Sequence, residues 1–202
     1  ELPWRQTLDP YRIWVSEIML QQTRVEAVKG YYARFLDRLP DIAALASCDD
    51  DELHKLWEGL GYYSRVRNLK KAARVIEEFH GGLFPSDHAA VLALPGIGDY
   101  TAGAICSIAF SRPTPAVDGN VLRVLARLRA DAEAIDLPQV KKRVREELEK
   151  IYPTDCPGEF TQALMELGAT VCVPNGEPKC SLCPCREICE GRENWQRLPV
   201  KL

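Results

Sequence analysis

With 202 residues, 46% of them apolar, the chain is long enough for one large or two small helical subdomains with a core of their own, and no apolar run approaches the roughly 18 residues that cross a membrane. The formal net charge is -3. A nucleic-acid binder ordinarily carries a basic footprint, so bulk charge weighs against such a partner without excluding it, because local charge and backbone donors can do the binding.

Glu1-Leu2-Pro3-Trp4 carries no secretory leader pattern and reads as the interior of a longer sequence. Helical periodicity runs throughout and strand signals are nearly absent, so an all-α fold is expected. Asp9-Pro10 pairs an N-cap with a proline at the first helical position and predicts a helix through about Leu20. A second helix is expected from about Thr23 to Leu36, and a third from Asp49 to Trp57, closed near Gly59. Ser64 is expected to cap a long helix that stops at Gly81-Gly82. Ser86 is expected to cap a short helix ending at Leu94, and Asp99 the next, to about Phe110. Further helices are predicted near 119–129, 138–151 and 158–170. Lys70-Lys71-Arg74 and Lys141-Lys142-Arg143-Arg145 read as solvated helix faces, whereas Arg65 and Arg67 read as phosphate contacts.

Leu94-Pro95-Gly96-Ile97-Gly98-Asp99 joins two short helices. Gly96 and Gly98 permit backbone angles and close approaches that a side chain forbids. The helix that follows is rich in small residues (Thr101, Ala102, Gly103, Ala104, Ser107) and can pack tightly. Exposed amides ahead of a helix N-terminus suit a phosphate. This is the pattern of a helix-hairpin-helix, and it explains how an acidic chain can hold DNA.

Two carboxylates are candidates for chemistry. Glu17 has Ile13, Trp14, Leu20 and Gln21 as its helical neighbours. On so apolar a face, desolvation would raise its pKa and keep a proton on it, as a general acid requires. Asp118 follows Pro113-Thr114-Pro115-Ala116-Val117, twenty residues after Gly98, and is placed to cap the next helix. An aspartate there could also sit in a cleft between two helical subdomains. Breaking a glycosidic bond develops positive charge on the sugar, and a facing carboxylate with an acid at the leaving group is the recurring solution.

Of the eight cysteines, five fall within eighteen residues near the end: Cys172, Cys180, Cys183, Cys185 and Cys189. Such clustering favours a metal site over disulfides. The spacing Cys172-x7-Cys180-x2-Cys183-x5-Cys189 suits zinc or a [4Fe–4S] cluster and does not choose between them. Cys185 is a fifth thiol within reach, and Lys179 and Arg186 are available to touch phosphate. Cys48, Cys106 and Cys156 read as inert thiols.

Taken together, Leu2-Pro3-Trp4-Arg5, Trp14 through Thr23 (Trp-Val-Ser-Glu-Ile-Met-Leu-Gln-Gln-Thr), Gly59 through Arg65 (Gly-Leu-Gly-Tyr-Tyr-Ser-Arg), the hairpin through Tyr100-Thr101, Val117-Asp118-Gly119-Asn120-Val121 and the C-terminal cysteines resemble the MutY family of adenine DNA glycosylases, within the endonuclease III superfamily. The resemblance covers nearly the whole chain. It implies two helical subdomains with the active site in the cleft between them: a six-helix barrel over residues 5–112, with its helix-hairpin-helix at 86–110, and an iron–sulfur subdomain over 113–202 together with 1–4.

The resemblance also implies roles. Glu17 would protonate adenine at N7 and help direct water. Asp118 would stabilise an oxocarbenium-like sugar, with Tyr100 and Asn120 positioning that chemistry. Gln22 and Tyr62 would wedge into the base stack as adenine leaves it, and Leu60 would line the same surface. Trp4, Arg5 and Gln162 would shape or read the adenine pocket, and Gly96 and Gly98 would meet the DNA backbone. The implied cofactor is a [4Fe–4S] cluster on Cys172, Cys180, Cys183 and Cys189, although the first cysteine gap is one residue longer than the family's usual spacing, an extension cheap to close. The implied substrate is double-stranded DNA with adenine opposite 8-oxoguanine or guanine, from which a monomer would release the adenine, in the bacterial cytoplasm at the nucleoid or in a eukaryotic nucleus. The family's C-terminal domain for recognising 8-oxoguanine is expected to lie beyond Leu202.

A bifunctional, lysine-dependent relative is disfavoured by Tyr100, which stands where such enzymes carry the Schiff-base lysine. A thymine-excising relative, a non-catalytic DNA-binding module and a zinc protein of another activity are further alternatives.

Overall fold

The structure is a computed structural model that describes residues 2–202. Ten α-helices, one π-helical turn and four short 3-10 turns account for its regular elements among the described residues, and the single β pairing there is an isolated bridge between Ala134 and Val200. Among the described residues no helix is long and apolar enough to cross a membrane. The chain resolves into two compact units, one ending at Phe110 and the other beginning at Ser111. The N-terminal residues, expected with the second unit, go with the first, because Trp4 is buried and meets Tyr32 edge-on at 5.4 Å.

The first unit contains α1 (Pro10–Leu20), α2 (Val25–Arg38), α3 (Ile42–Ser47), α4 (Asp50–Trp57), α5 (Ser64–His80), α6 (His88–Leu92) and α7 (Asp99–Phe110). Asp9 caps α1 through Tyr11 N, ahead of Pro10. Gly81 ends α5 in the left-handed conformation at φ 60°. Trp14, Trp57, Phe35, Ile13, Met19 and Leu69 are fully buried, each contributing roughly 1.5–3 kcal/mol of burial. The small residues Thr101 to Ala104 and Ser107 are buried where α7 packs on α1 and α6.

Four expectations are corrected. Ser64 does not cap α5: Tyr63 holds that position in a helical conformation, with no side-chain cap. Asp87 rather than Ser86 caps α6, through Ala90 N at 3.1 Å, and that helix ends at Leu92. Asp99 is the first residue of α7, and the Gly98 carbonyl receives the first helical hydrogen bond, from Ala102 N. Lys70 does not lie on a solvated face; it is buried and paired with Asp50, tying α5 to α4. The helix α3, capped by Asp41 through Ala44 N, was not anticipated.

The second unit contains α8 (Gly119–Leu128), α9 (Pro138–Glu149) and α10 (Pro157–Glu166), the last running into a π-helical turn at Leu167–Val171. Its core joins Val121, Leu122 and Leu125 of α8 to Val140, Val144 and Leu148 of α9, with Tyr152 edge-on to Phe160 at 4.9 Å.

Candidate active site

Close packing of α7 on α1 brings Tyr100 to Glu17. Glu17 lies among buried Ile13, Trp14, Ile18 and Met19 and is itself 7% exposed. The Tyr100 hydroxyl donates to its Oε2 at 2.6 Å. Burying an ionisable group without a hydrogen-bond partner is unfavourable by several kcal/mol, so this bond explains how a glutamate is tolerated on an apolar face. One helical turn further, Gln21 Nε2 donates to Thr101 Oγ1 at 3.4 Å, joining the same two helices again.

The two hairpin glycines serve different needs. Gly96 sits at φ 78°, and a Cβ there would lie 2.6 Å from Asn68 Cβ. Gly98 has no such angle and open space where its Cβ would be, so nothing within the protein demands a glycine there.

Gln22 and Tyr62 are both exposed and both left-handed, at φ 56° and 48°. The structure places Leu60 differently: its side chain is buried, so it does not share their exposed surface. Arg65 is also corrected. Its guanidinium is taken up by backbone carbonyls at the end of α1 and in the 60–61 segment, and is not offered to phosphate. Arg67 is exposed. Trp4 is a core residue beside Tyr32, and Arg5 follows it half-buried.

In the second unit Asp118 caps α8, its Oδ1 accepting from Val121 N at 2.8 Å, while its Oδ2 accepts from Asn120 Nδ2 at 2.7 Å. Both carboxylate oxygens are therefore fixed. Arg123 continues the chain of contacts: Nη2 donates to Asn120 Oδ1 and to Gly168 O, and Nε to Cys172 O, at 2.8–2.9 Å. The Gly168 contact requires a glycine, since a Cβ would lie 2.6 Å from Asn120 Cβ. Gln162 lies half-buried on α10.

Cys172, Cys180, Cys183 and Cys189 line one cavity, together with Val124, Leu128 and Arg127, and Cys185 does not. Among the described residues no three His, Cys, Asp or Glu side chains converge as ligands of a single metal ion. Burial and neighbouring thiolates push the Cys180 thiol above the usual value; Cys189 is also raised, chiefly by burial. Arg127 holds the cavity wall, with Nη1 3.4 Å from Cys172 Sγ and 2.9 Å from Val173 O, and Nε 2.9 Å from Leu198 O. Gly191 follows the last cysteine so closely along α8 that a Cβ would lie 2.3 Å from Arg127 O. Lys179 and Arg186 are exposed.

Residues 15–154 match the HhH-GPD superfamily of base excision DNA repair proteins. The chain belongs to that superfamily. The HhH-GPD match takes in Glu17, the hairpin and Asp118, and stops short of the cysteine cluster at 172–189. Mouse adenine DNA glycosylase is 44% identical over 98% of this chain and 40% of its own length. The adenine DNA glycosylase of Buchnera aphidicola subsp. Baizongia pistaciae is 40% identical over 96% of this chain and 54% of its own. The chain thus spans about two-fifths to just over half of these curated relatives. The structure of a thermostable thymine-DNA glycosylase superposes with a TM-score of 0.86 at 32% identity, covering 96% of this HhH-GPD chain and 89% of that one.

Sequence reasoning did not find Arg123, Arg127, Gly168 or Gly191. The partners of both arginines are mostly carbonyls, which leave no residue-type signature, and the glycines' neighbours are distant in sequence. The small residue at 168, just before the cysteines, was the one available sign.

Proposed function

We propose that the chain is the base-excising part of an adenine DNA glycosylase acting on duplex DNA in which adenine faces guanine or 8-oxoguanine. The observation that carries this reading is the buried Glu17 with its Tyr100 hydroxyl partner, in a chain 44% identical to mouse adenine DNA glycosylase.

Extrusion comes first. Gln22 and Tyr62 enter the stack as adenine leaves it, and the hairpin amides around Gly98 hold the phosphate backbone. Glu17 then gives its proton to adenine N7, which makes the base a better leaving group. As the C1′–N9 bond breaks, its electron pair goes to the base and positive charge develops on the sugar. Asp118, its oxygens fixed by Asn120 and the Val121 amide, stabilises that charge. Water adds at C1′ and loses a proton to Glu17, leaving free adenine and an intact abasic site. Tyr100 has no amine for a Schiff base, so the strand is not cut. Trp4, Arg5 and Gln162 contribute to the adenine pocket.

The four cysteines that line one cavity are the residues that would hold a [4Fe–4S] cluster. Bound there, the cluster would act as a staple for the loop that carries Lys179 and Arg186. The chain acts as a monomer on this reading.

The likeness to a thymine-DNA glycosylase supports a second reading, thymine excision. Single-turnover excision on duplexes pairing adenine with guanine, 8-oxoguanine or cytosine, and thymine with guanine, separates the two. Adenine release opposite guanine and 8-oxoguanine is expected. Thymine release alone supports the second reading; binding without release of either base would leave a non-catalytic DNA-binding module.

A further inference from the structure

We propose that Arg65 is the positioning residue for base extrusion: one guanidinium anchors both backbone segments that present Gln22 and Tyr62. This rests on the reading of those two residues as the stack-entering wedge.

The last four carbonyls of α1 have no partner within the helix. Arg65 Nη1 takes two of them, Ile18 O at 3.0 Å and Met19 O at 3.3 Å, and also Gln21 O just beyond the helix. Nη2 reaches the other segment, donating to Leu60 O at 3.0 Å and Gly61 O at 3.3 Å, with Thr23 Oγ1 at 3.5 Å. Five carbonyls from two chain segments thus converge on one planar fork. The same guanidinium lies 5.3 Å from the Tyr62 ring centroid and 5.5 Å from that of Trp57. Trp57 is fully buried and donates from Nε1 to Gly61 O at 3.0 Å, so this support is rigid.

What Arg65 holds is unfavourable by itself. A non-glycine residue is unfavourable in the left-handed region, and Gln22 and Tyr62, each directly beside a clamped carbonyl, both adopt it. Such conformations persist when surrounding contacts over-determine them. Arg65 Nε is itself buried without a partner among the described residues, so the fork is aimed at these carbonyls rather than at its own full satisfaction. Tyr62 remains 62% exposed, held at its base with its ring presented outward. Lysine could not replace this arrangement, because an ammonium offers three donors around a point where the guanidinium offers a planar fork.

The test uses the 202-residue chain with Arg65→Lys, Arg65→Met, Gln22→Ala, Tyr62→Ala and the Arg65→Lys/Gln22→Ala double variant. Two readouts separate positioning from general damage: fluorescence of 2-aminopurine opposite guanine on binding, which reports unstacking, and single-turnover excision of adenine opposite guanine against adenine opposite an abasic gap. A base with no partner needs the least extrusion work, so Arg65→Lys is expected to lose about tenfold or more on the paired substrate and about threefold or less on the unpaired one. The unstacking signal falls with it, and the double variant is no slower than the slower single variant, as expected for residues acting as a unit. Amide exchange in Arg65→Lys rises together at 20–23 and 60–63 while α7 stays protected.

Equal losses on both substrates, additive losses in the double variant, or failure of both Arg65 variants to fold would make Arg65 a general structural clamp and overturn the proposal. An unaltered Arg65→Lys overturns it too, with the glycosylase reading intact. An unsubstituted chain that neither unstacks 2-aminopurine nor releases adenine overturns both.

Discussion

Tyr100 donates its phenolic hydrogen to Glu17 Oε2 at 2.6 Å across a separation of 83 residues. The bond joins the second residue of α7, just past the hairpin, to the buried face of α1, so the candidate acid is oriented by the element proposed to grip DNA.

Glu17→Gln keeps the size and loses the proton donor. General acid–base groups contribute roughly 10² to 10⁴ in rate, and a single-turnover loss of that order is expected with duplex binding retained. Tyr100→Phe removes one hydrogen bond to Glu17, worth about 0.5–1.5 kcal/mol while Glu17 is protonated, and an intermediate loss is expected. Near-normal excision by Glu17→Gln would sink its assignment.

Gly96 and Gly98 respond to alanine in opposite ways. Gly96→Ala meets Asn68 and a positive φ, so the melting temperature falls. Gly98→Ala meets open space, so stability stays within about 0.5 kcal/mol, as for most uninvolved surface positions, while on the proposed reading duplex affinity drops because the new methyl would obstruct the DNA backbone. Calorimetry and a binding titration measure the two effects; unimpaired binding by Gly98→Ala would remove the hairpin from the interface.

Protein purified without oxygen is expected to be brown, with about four irons per chain. Cys180→Ser and Cys189→Ser should lose that iron. Cys185→Ser should keep it, because Cys185 does not line the cavity. Stoichiometric zinc in place of iron rules the cluster out.

Gly168→Ala drives a methyl group into Asn120. Overpacking of that kind is destabilising by about 1–3 kcal/mol. Because Asn120 is bonded to Asp118, excision should fall further than the loss of folded protein accounts for, which active-site titration of the soluble fraction would reveal. Activity that tracks folded protein alone would mean that Gly168 matters only to packing.

Local signals made much of the fold legible. Asp9-Pro10 and Gly81 mark helix ends by their own chemistry, and both helices end where those residues indicate. α3 was missed because Ile42–Ser47 is short and nearly all apolar, without a polar face to show a helical period. The candidate site was legible as residue types and illegible as relationships. A carboxylate among mostly apolar helical neighbours pointed to Glu17, but the sequence does not reveal that Tyr100 reaches it. Arg65 was misread for a physical reason: an arginine beside exposed aromatics looks free for phosphate until the carbonyls that capture it are seen.

Three arginines point inward here. Arg65, Arg123 and Arg127 each spend their donors largely on backbone carbonyls, in a chain whose net charge is already -3. Each phosphate neutralised by a lysine or arginine steepens the fall of affinity with salt, by about 0.9 in log–log slope. On the proposed reading, these three guanidiniums, committed to carbonyls inside the protein, add nothing to that slope. Replacing any of them should therefore leave the salt dependence of duplex binding unchanged, even where it lowers stability.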